Sequence, residues 1–172
     1  VENGYAYVTG SSGSSDFPTV NAYDSTLDST SDCFVTKLAT DGQSLVYSTF
    51  LGGSNADNGK GIAVEDEYAY ITGVTYSSNF PTINAYEPSF NAGTFDCFVT
   101  KFATDGQSLV YSTFLGGSDY EEGRDIAVED GYAYVTGYTD SFGFPTVNAN
   151  SSVFNGVRDC FVTKFATNGQ SL

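Results

Sequence analysis

The side chains able to do chemistry in this 172-residue sequence are three cysteines, Cys33, Cys97 and Cys160, and 21 Asp and Glu set against six Lys and Arg. There is no histidine. That removes Ser-His-Asp triads, Cys-His nucleophile pairs and imidazole metal sites. The cysteines are 64 and 63 residues apart. On neighbouring stacked sheets, such equivalent positions lie ~10 Å apart, beyond the ~7 Å Cα separation a disulfide spans. All three are therefore expected to be reduced and buried, acting as small hydrophobes, with bridging between chains as the competing reading. Asp57 in one segment and Asp119, Glu121, Glu122 and Asp125 in another supply the oxygen donors that Ca²⁺ takes. Their spacing is not that of an EF-hand, and solvated surface charge is the preferred reading, with Ca²⁺ as the alternative. No other cofactor is implied. A glycosidase needs two carboxylates converging in one pocket, whereas the acids of repeated hairpins point outward, so no enzyme activity is expected. Asn150-Ser151-Ser152 is the one N-glycosylation sequon.

Composition narrows the partners. A net charge of −15 is wrong for phosphate backbones and is repelled by anionic membrane surfaces. No apolar run approaches the ~18 residues of a membrane span. With 40% hydrophobic and 16% aromatic residues, the chain is too apolar to stay disordered. Abundant Tyr, Phe, Val and Thr favour strands.

The elements that position these residues come in repeats. Asp32–Ser54 and Asp96–Ser118 differ at one position only, Leu38 against Phe102, and Asp159–Leu172 begins a third copy. Tyr-Ala-Tyr-Val/Ile-Thr-Gly recurs from Tyr5, Tyr68 and Tyr132, and Phe-Pro-Thr recurs at 17–19, 80–82 and 144–146. Both chain ends fall inside repeat units, which implies an excerpt of a longer array. The units are a partial one over 1–54, a complete one over 55–118 and a partial one over 119–172, about 2.7 repeats in all.

One unit carries four strand signals: a (Gly61–Glu65), b (Tyr68–Thr72), c (Cys97–Phe102) and d (Leu109–Leu115). Turn residues separate a from b (Asn3-Gly4, Asp130-Gly131, and Asp66-Glu67 as a poorer version) and c from d (Asp41-Gly42, Asp105-Gly106, Asn168-Gly169). The b–c connection takes about twenty residues and the d–a connection, Gly116–Asp125, about nine. In an antiparallel meander the two tight turns then share one end and the two longer loops the other. The expected fold is all-β: β-propeller blades, four-stranded antiparallel sheets in tandem, ten or so strands in three sheets with the outer two incomplete. A β-trefoil has a shorter repeat, a parallel β-helix has shorter rungs, and a WD-type propeller would carry Trp.

Gly-Ile-Ala-Val, Tyr-Ala-Tyr-Val-Thr-Gly, Phe-Pro-Thr, Asp-Cys-Phe-Val-Thr-Lys and Leu-Val-Tyr-Ser-Thr-Phe-Leu-Gly-Gly, in that order, resemble the SBBP (seven-bladed β-propeller) repeat family over essentially the whole chain. The Cys in Asp-Cys-Phe-Val departs from the small residue, such as Ala, that is usual there. The resemblance implies a bacterial or archaeal protein that is extracellular, secreted or held at the cell surface, and it transfers no catalytic residues. The function expected is a non-enzymatic scaffold for adhesion or for binding a protein or glycan. Recognition would sit on the long-loop end, with Tyr76, Phe80, Tyr120 and Phe142 as contact residues. The alternative is a structural subunit of an extracellular filament or sheath, whose partners are further copies of itself.

Overall fold

The computed structural model describes residues 1–91 and 93–172; Ala92, in the long b–c connection, lies outside the described residues. All ten regular elements among the described residues are strands: β1 (Ala6–Ser12), β2 (Asp32–Leu38), β3 (Leu45–Leu51), β4 (Asp57–Glu65), β5 (Tyr68–Thr75), β6 (Asp96–Phe102), β7 (Leu109–Leu115), β8 (Glu121–Glu129), β9 (Tyr132–Thr139) and β10 (Asp159–Phe165). They form three antiparallel sheets, β1-β2-β3, β4-β5-β6-β7 and β8-β9-β10. The middle sheet realises the whole a-b-c-d unit. The first lacks strand a and the third lacks strand d.

Strand a is longer than its sequence signal, because a β-bulge at Lys60, and another at Arg124, lets pairing run on to Asp57 and Glu121. Asp57, Glu121, Glu122 and Asp125 are therefore strand residues, not d–a loop residues. The d–a connection shrinks to Gly52–Ala56 and Gly116–Tyr120.

The a–b turns have both central residues at positive φ, 52° and 64° at Asp66-Glu67 and 52° and 78° at Asp130-Gly131. That is the type I′ geometry whose twist matches a hairpin. Glu67 lacks glycine's freedom, at a cost of ~1 kcal/mol. The preceding sheet offsets it. The Glu2 carboxylate accepts the Asp66 and Glu67 amides at 2.9 and 2.7 Å. Glu65 does the same for Asp130 and Gly131 at 2.9 and 2.6 Å. Each turn is thus braced by a carboxylate of its neighbour.

The b–c connection leaves the sheet end and doubles back along the outer strand. Val20 and Asp24 bridge to Ser48 and Phe50 of β3, and Ile83 and Glu87 bridge to Ser112 and Phe114 of β7. An otherwise open strand edge is covered. At the head of this segment Asn21 and Asn84 take φ of 46° and 48°, and each side-chain amide donates to the strand, at 2.9 Å to the Val46 and Val110 carbonyls.

Two cores lie between the three sheets. Cys33, Val35, Tyr47 and Leu51 of the first sheet meet Ala69, Ile71, Phe98, Phe102 and Phe114 of the second. Tyr70, Cys97, Val99, Tyr111 and Leu115 of the second meet Ile126, Ala133, Val135, Phe161 and Phe165 of the third. Alternate residues of β5 and β6 point to opposite cores, so both strands are buried almost throughout. In β10 burial alternates, because only one face is covered.

The c–d turn glycines make the closest approach. A Cβ built on Gly106 (φ +72°) would lie 2.3 Å from the Tyr47 ring, and one on Gly169 (φ +74°) 2.3 Å from Tyr111; around Gly42 (φ +68°) nothing lies within 4 Å. The three turns share one backbone conformation and differ only in having a sheet beneath. Gly42→Ala is expected to cost about 1 kcal/mol, and Gly106→Ala a further 1–3 kcal/mol or so from forcing the tyrosine aside. Urea melts of the two variants check this; equal losses would show that the turn conformation alone demands glycine.

Candidate functional site

Stacking explains the thiols. Gly59 of β4 lies over Cys33 and Gly123 of β8 over Cys97; a Cβ at either glycine would come within 2.8 and 2.9 Å of the sulfur. Thr9 Oγ1 and Thr72 Oγ1 are 3.5 and 3.6 Å from the two sulfurs. Both thiols are wholly buried, and burial pushes them up to about 12. Cys160 breaks the pattern. It is a free thiol like the others but exposed, which corrects the expectation of three buried cysteines. Its face of β10, shared with Val162 and Lys164, is the one on which β6 meets the next sheet, and no sheet covers it here. Thiol titration without denaturant should therefore label one cysteine promptly and two only on unfolding. Prompt labelling of all three would contradict the packing.

The acidic residues divide in the same way. Asp119 and Asp125 are exposed. Asp57 and Glu121 are fully buried, and Glu122 is nearly so. Asp57 accepts the Gly53 amide at 2.8 Å and the Ser77 hydroxyl at 3.0 Å. Glu121 accepts the Gly117 amide at 3.0 Å and the Thr139 hydroxyl at 2.5 Å. They pin the Gly-Gly bend after strand d, where Gly52 fits between Asp32 and Asp57, and Gly116 between Glu121 and Asp96. Among the described residues no three Asp, Glu, Cys or His side chains gather as a metal site, so the five Ca²⁺ candidates are not brought together.

These carboxylates are held at a cost. One oxygen of Asp57 and one of Asp96 are buried without a partner. Burial raises Asp57 to about 6 and Asp96 to about 7, with the nearby Glu121 and Glu87 adding to Asp96. In the unfolded chain both would titrate near ~4. Between those values the native state binds more protons than the unfolded one, so stability falls as pH rises from ~4 to ~7. The melting temperature should be higher at pH 5 than at pH 8. Asp96→Asn, neutral at both, should raise the pH 8 value and flatten the slope. A melting temperature that climbs from pH 5 to pH 8 would contradict the assignment.

Of the four aromatics expected at a contact surface, Phe80 is a core residue, 3% exposed, with its ring 4.6 Å from Phe98 and 6.1 Å from Phe114. This corrects the sequence reading: Phe80-Pro81 turns inward to start the edge-covering segment. Tyr76 and Tyr120 are 37% and 39% exposed. They flank Phe95, which stacks on Tyr120 at 4.9 Å and 13° and meets Tyr76 at 5.2 Å. Phe142 is exposed beside Phe154, and Asn150 is exposed.

Phe95 marks a position that motif reading missed. The residue after strand b and the residue before strand c face each other at the loop end. In the second sheet they are Tyr76 and Phe95. In the third they are Asp140 and Arg158, joined at 2.7 and 2.8 Å, with the guanidinium 3.8 Å from the Tyr138 ring. In the first they are Gly13 and Ser31. Around Tyr138 the third sheet adds Glu122, bonded to its hydroxyl at 2.9 Å, and Arg124, 3.2 Å from Glu122. The signal lay in comparing the copies: these two positions change class, while the residue before the first stays a hydroxyl (Ser12, Thr75, Thr139) and the residue after the second stays Asp.

No family model matches the chain, and no curated protein matches it significantly.

Proposed function

We propose that the chain is a segment of a β-propeller-type repeat scaffold, of the SBBP kind, that works outside a bacterial or archaeal cell as a non-enzymatic binding or adhesion module. Successive sheets repeat the same contacts, glycine over cysteine, glycine over tyrosine and carboxylate onto turn, which supports blades added by one rule. The observation that carries the functional reading is the loop-end pair. It runs from Gly13/Ser31 to Tyr76/Phe95 to Asp140/Arg158 on an otherwise near-constant frame. A rigid frame presenting a small, an aromatic and a charged contact in turn is built for recognition. The half-exposed faces of Tyr76 and Tyr120 suit a sugar ring or an apolar protein side chain.

A filament or sheath subunit is the second reading. It is favoured by the outer face of the third sheet, where Val162 is 79% exposed although its counterpart Val99 is fully buried.

A glycan array and sedimentation velocity separate the two. On the binding reading, the Tyr76→Ala/Tyr120→Ala double variant loses glycan signal about tenfold or more, while its melting temperature stays within ~2–4 °C, as befits surface changes. Asp41→Ala with Asp105→Ala, at the opposite end, leaves that signal in place. Signal indifferent to the tyrosines, together with self-association abolished by Val162→Glu, would favour the filament.

A further inference from the structure

The junction between the second and third sheets has a cavity of about 420 Å³ at its tight-turn end, lined by Asp66, Tyr68, Tyr70, Lys101, Asp130 and Gly131. The junction between the first and second sheets is built from the same parts, and there the equivalent space has an occupant. Lys37 lies 4.5 Å from the Tyr5 ring and 5.3 Å from the Tyr7 ring, and Glu67 reaches it from the facing a–b turn at 2.7 Å. Lys101 lies over Tyr68 and Tyr70 in the same way, at 4.3 and 4.8 Å. The residue facing it in place of Glu67 is Gly131, and among the described residues Lys101 forms no ion pair. We propose that the space Gly131 leaves is a binding site for an alkyl carboxylate from outside the chain, with Lys101 as its cation.

Lys101 is prepared for that ligand. The two rings hold its side chain in place beforehand, so little freedom is lost on binding. Lys37 is buried beneath Glu67, whereas Lys101 stays partly open. Burial pushes Lys101 below the ordinary lysine value, against the pull of Glu65 and Asp66. Burial acts on Lys37 too, but the Glu67 carboxylate leaves it above that value. A carboxylate at Lys101 restores the balance that the first junction already has. The surrounding acids limit the affinity without forbidding it. Glu65 is occupied by the Asp130 and Gly131 amides at 2.9 and 2.6 Å, as Glu2 is by those of Asp66 and Glu67. Asp130 stands where Asp66 stands in the first junction, so the one added acid is Asp66 in its second role, where the counterpart is Asn3. The site lies at the end opposite the loop-end contacts and is independent of the binding reading above.

The test follows the side-chain Nζ and Cε signals of the four lysines of the 172-residue protein by NMR at constant ionic strength. Two probes are titrated, sodium propionate and the capped tripeptide acetyl-Gly-Glu-Gly-amide. A saturable shift confined to Lys101 is expected, with a dissociation constant in the millimolar range, and none with the Gln version of the peptide. Equal affinity for the two probes identifies a free small carboxylate as the ligand; tighter binding of the peptide identifies an acidic side chain of a partner. Gly131→Glu should supply its own carboxylate, raise the Lys101 pKa and abolish the response. Glu67→Gly, which also relieves a side chain at positive φ, should create the response at Lys37. Asp66→Asn should tighten binding at Lys101 about two- to fivefold, the effect of one partly exposed charge. No shift at Lys101, shifts spread over all four lysines, or a Lys101 response that survives Gly131→Glu would overturn the proposal.

Discussion

A sheet in this molecule has two apolar faces and cannot satisfy both by itself. Everything else follows from how closely the next sheet must approach to cover them. Gly59 and Gly123 have no side chain because Cys33 and Cys97 occupy that space, and Gly106 and Gly169 have none because a tyrosine ring does. The pairing is one small residue against one large or polarisable one, repeated at each junction. Such interlocking fixes the lateral register of the sheets, which a uniformly apolar interface would leave free to slide. It also gives the cysteines their environment: a thiol held under a glycine in a dry interface is a packing group, and its nucleophilicity is suppressed along with its ionisation.

The two ends of the sheets use charge differently. At the tight-turn end, carboxylates Glu2 and Glu65 reach across the junction to the amides of the next turn. The lysine of each Thr-Lys step lies over two strand-b tyrosines, Lys37 over Tyr5 and Tyr7, Lys101 over Tyr68 and Tyr70. The carboxylate contacts hold one sheet to another, whereas the lysine–tyrosine contacts lie within a sheet, with Lys37 also reaching Glu67 of the next sheet at 2.7 Å. At the loop end, carboxylates go inward. Asp57 and Glu121 each secure the bend that follows strand d, and their desolvation is only partly offset by amide and hydroxyl donors. The loop end is thus rigid at its base, which is a requirement for any contact residue mounted on it.

The periodic features were legible in the sequence. Ten strands, their antiparallel pairing, the positions of both tight turns and the alternation of faces all follow from the repeat and from Asp-Gly and Asn-Gly steps. What was hidden depends on three-dimensional neighbours. Strand a outruns its β-branched signal because a bulge at Lys60 allows polar residues to pair, and that moved Asp57 and Glu121 from solvent to core. Phe80 looks like a loop aromatic, but the loop lies along an edge strand. Cys160 has the same local sequence as Cys97 and a different exposure, since burial on that face is a property of the following sheet. The loop-end pair was visible only as variation between copies, a signal that motif reading discards.

The division between constant and variable residues has a thermodynamic meaning. Positions that touch the next sheet are coupled: changing Gly59 or Cys33 alone would clash with, or leave a void against, a partner on another repeat, so such changes are non-additive. Tyr76, Phe95, Asp140 and Arg158 meet one another, the partly exposed Tyr120 and Tyr138, and solvent, and none appears in either core. Their exchange between aromatic, charged and small pairs leaves the buried interfaces untouched. A stack of this kind can alter what it presents at one end without renegotiating what holds it together.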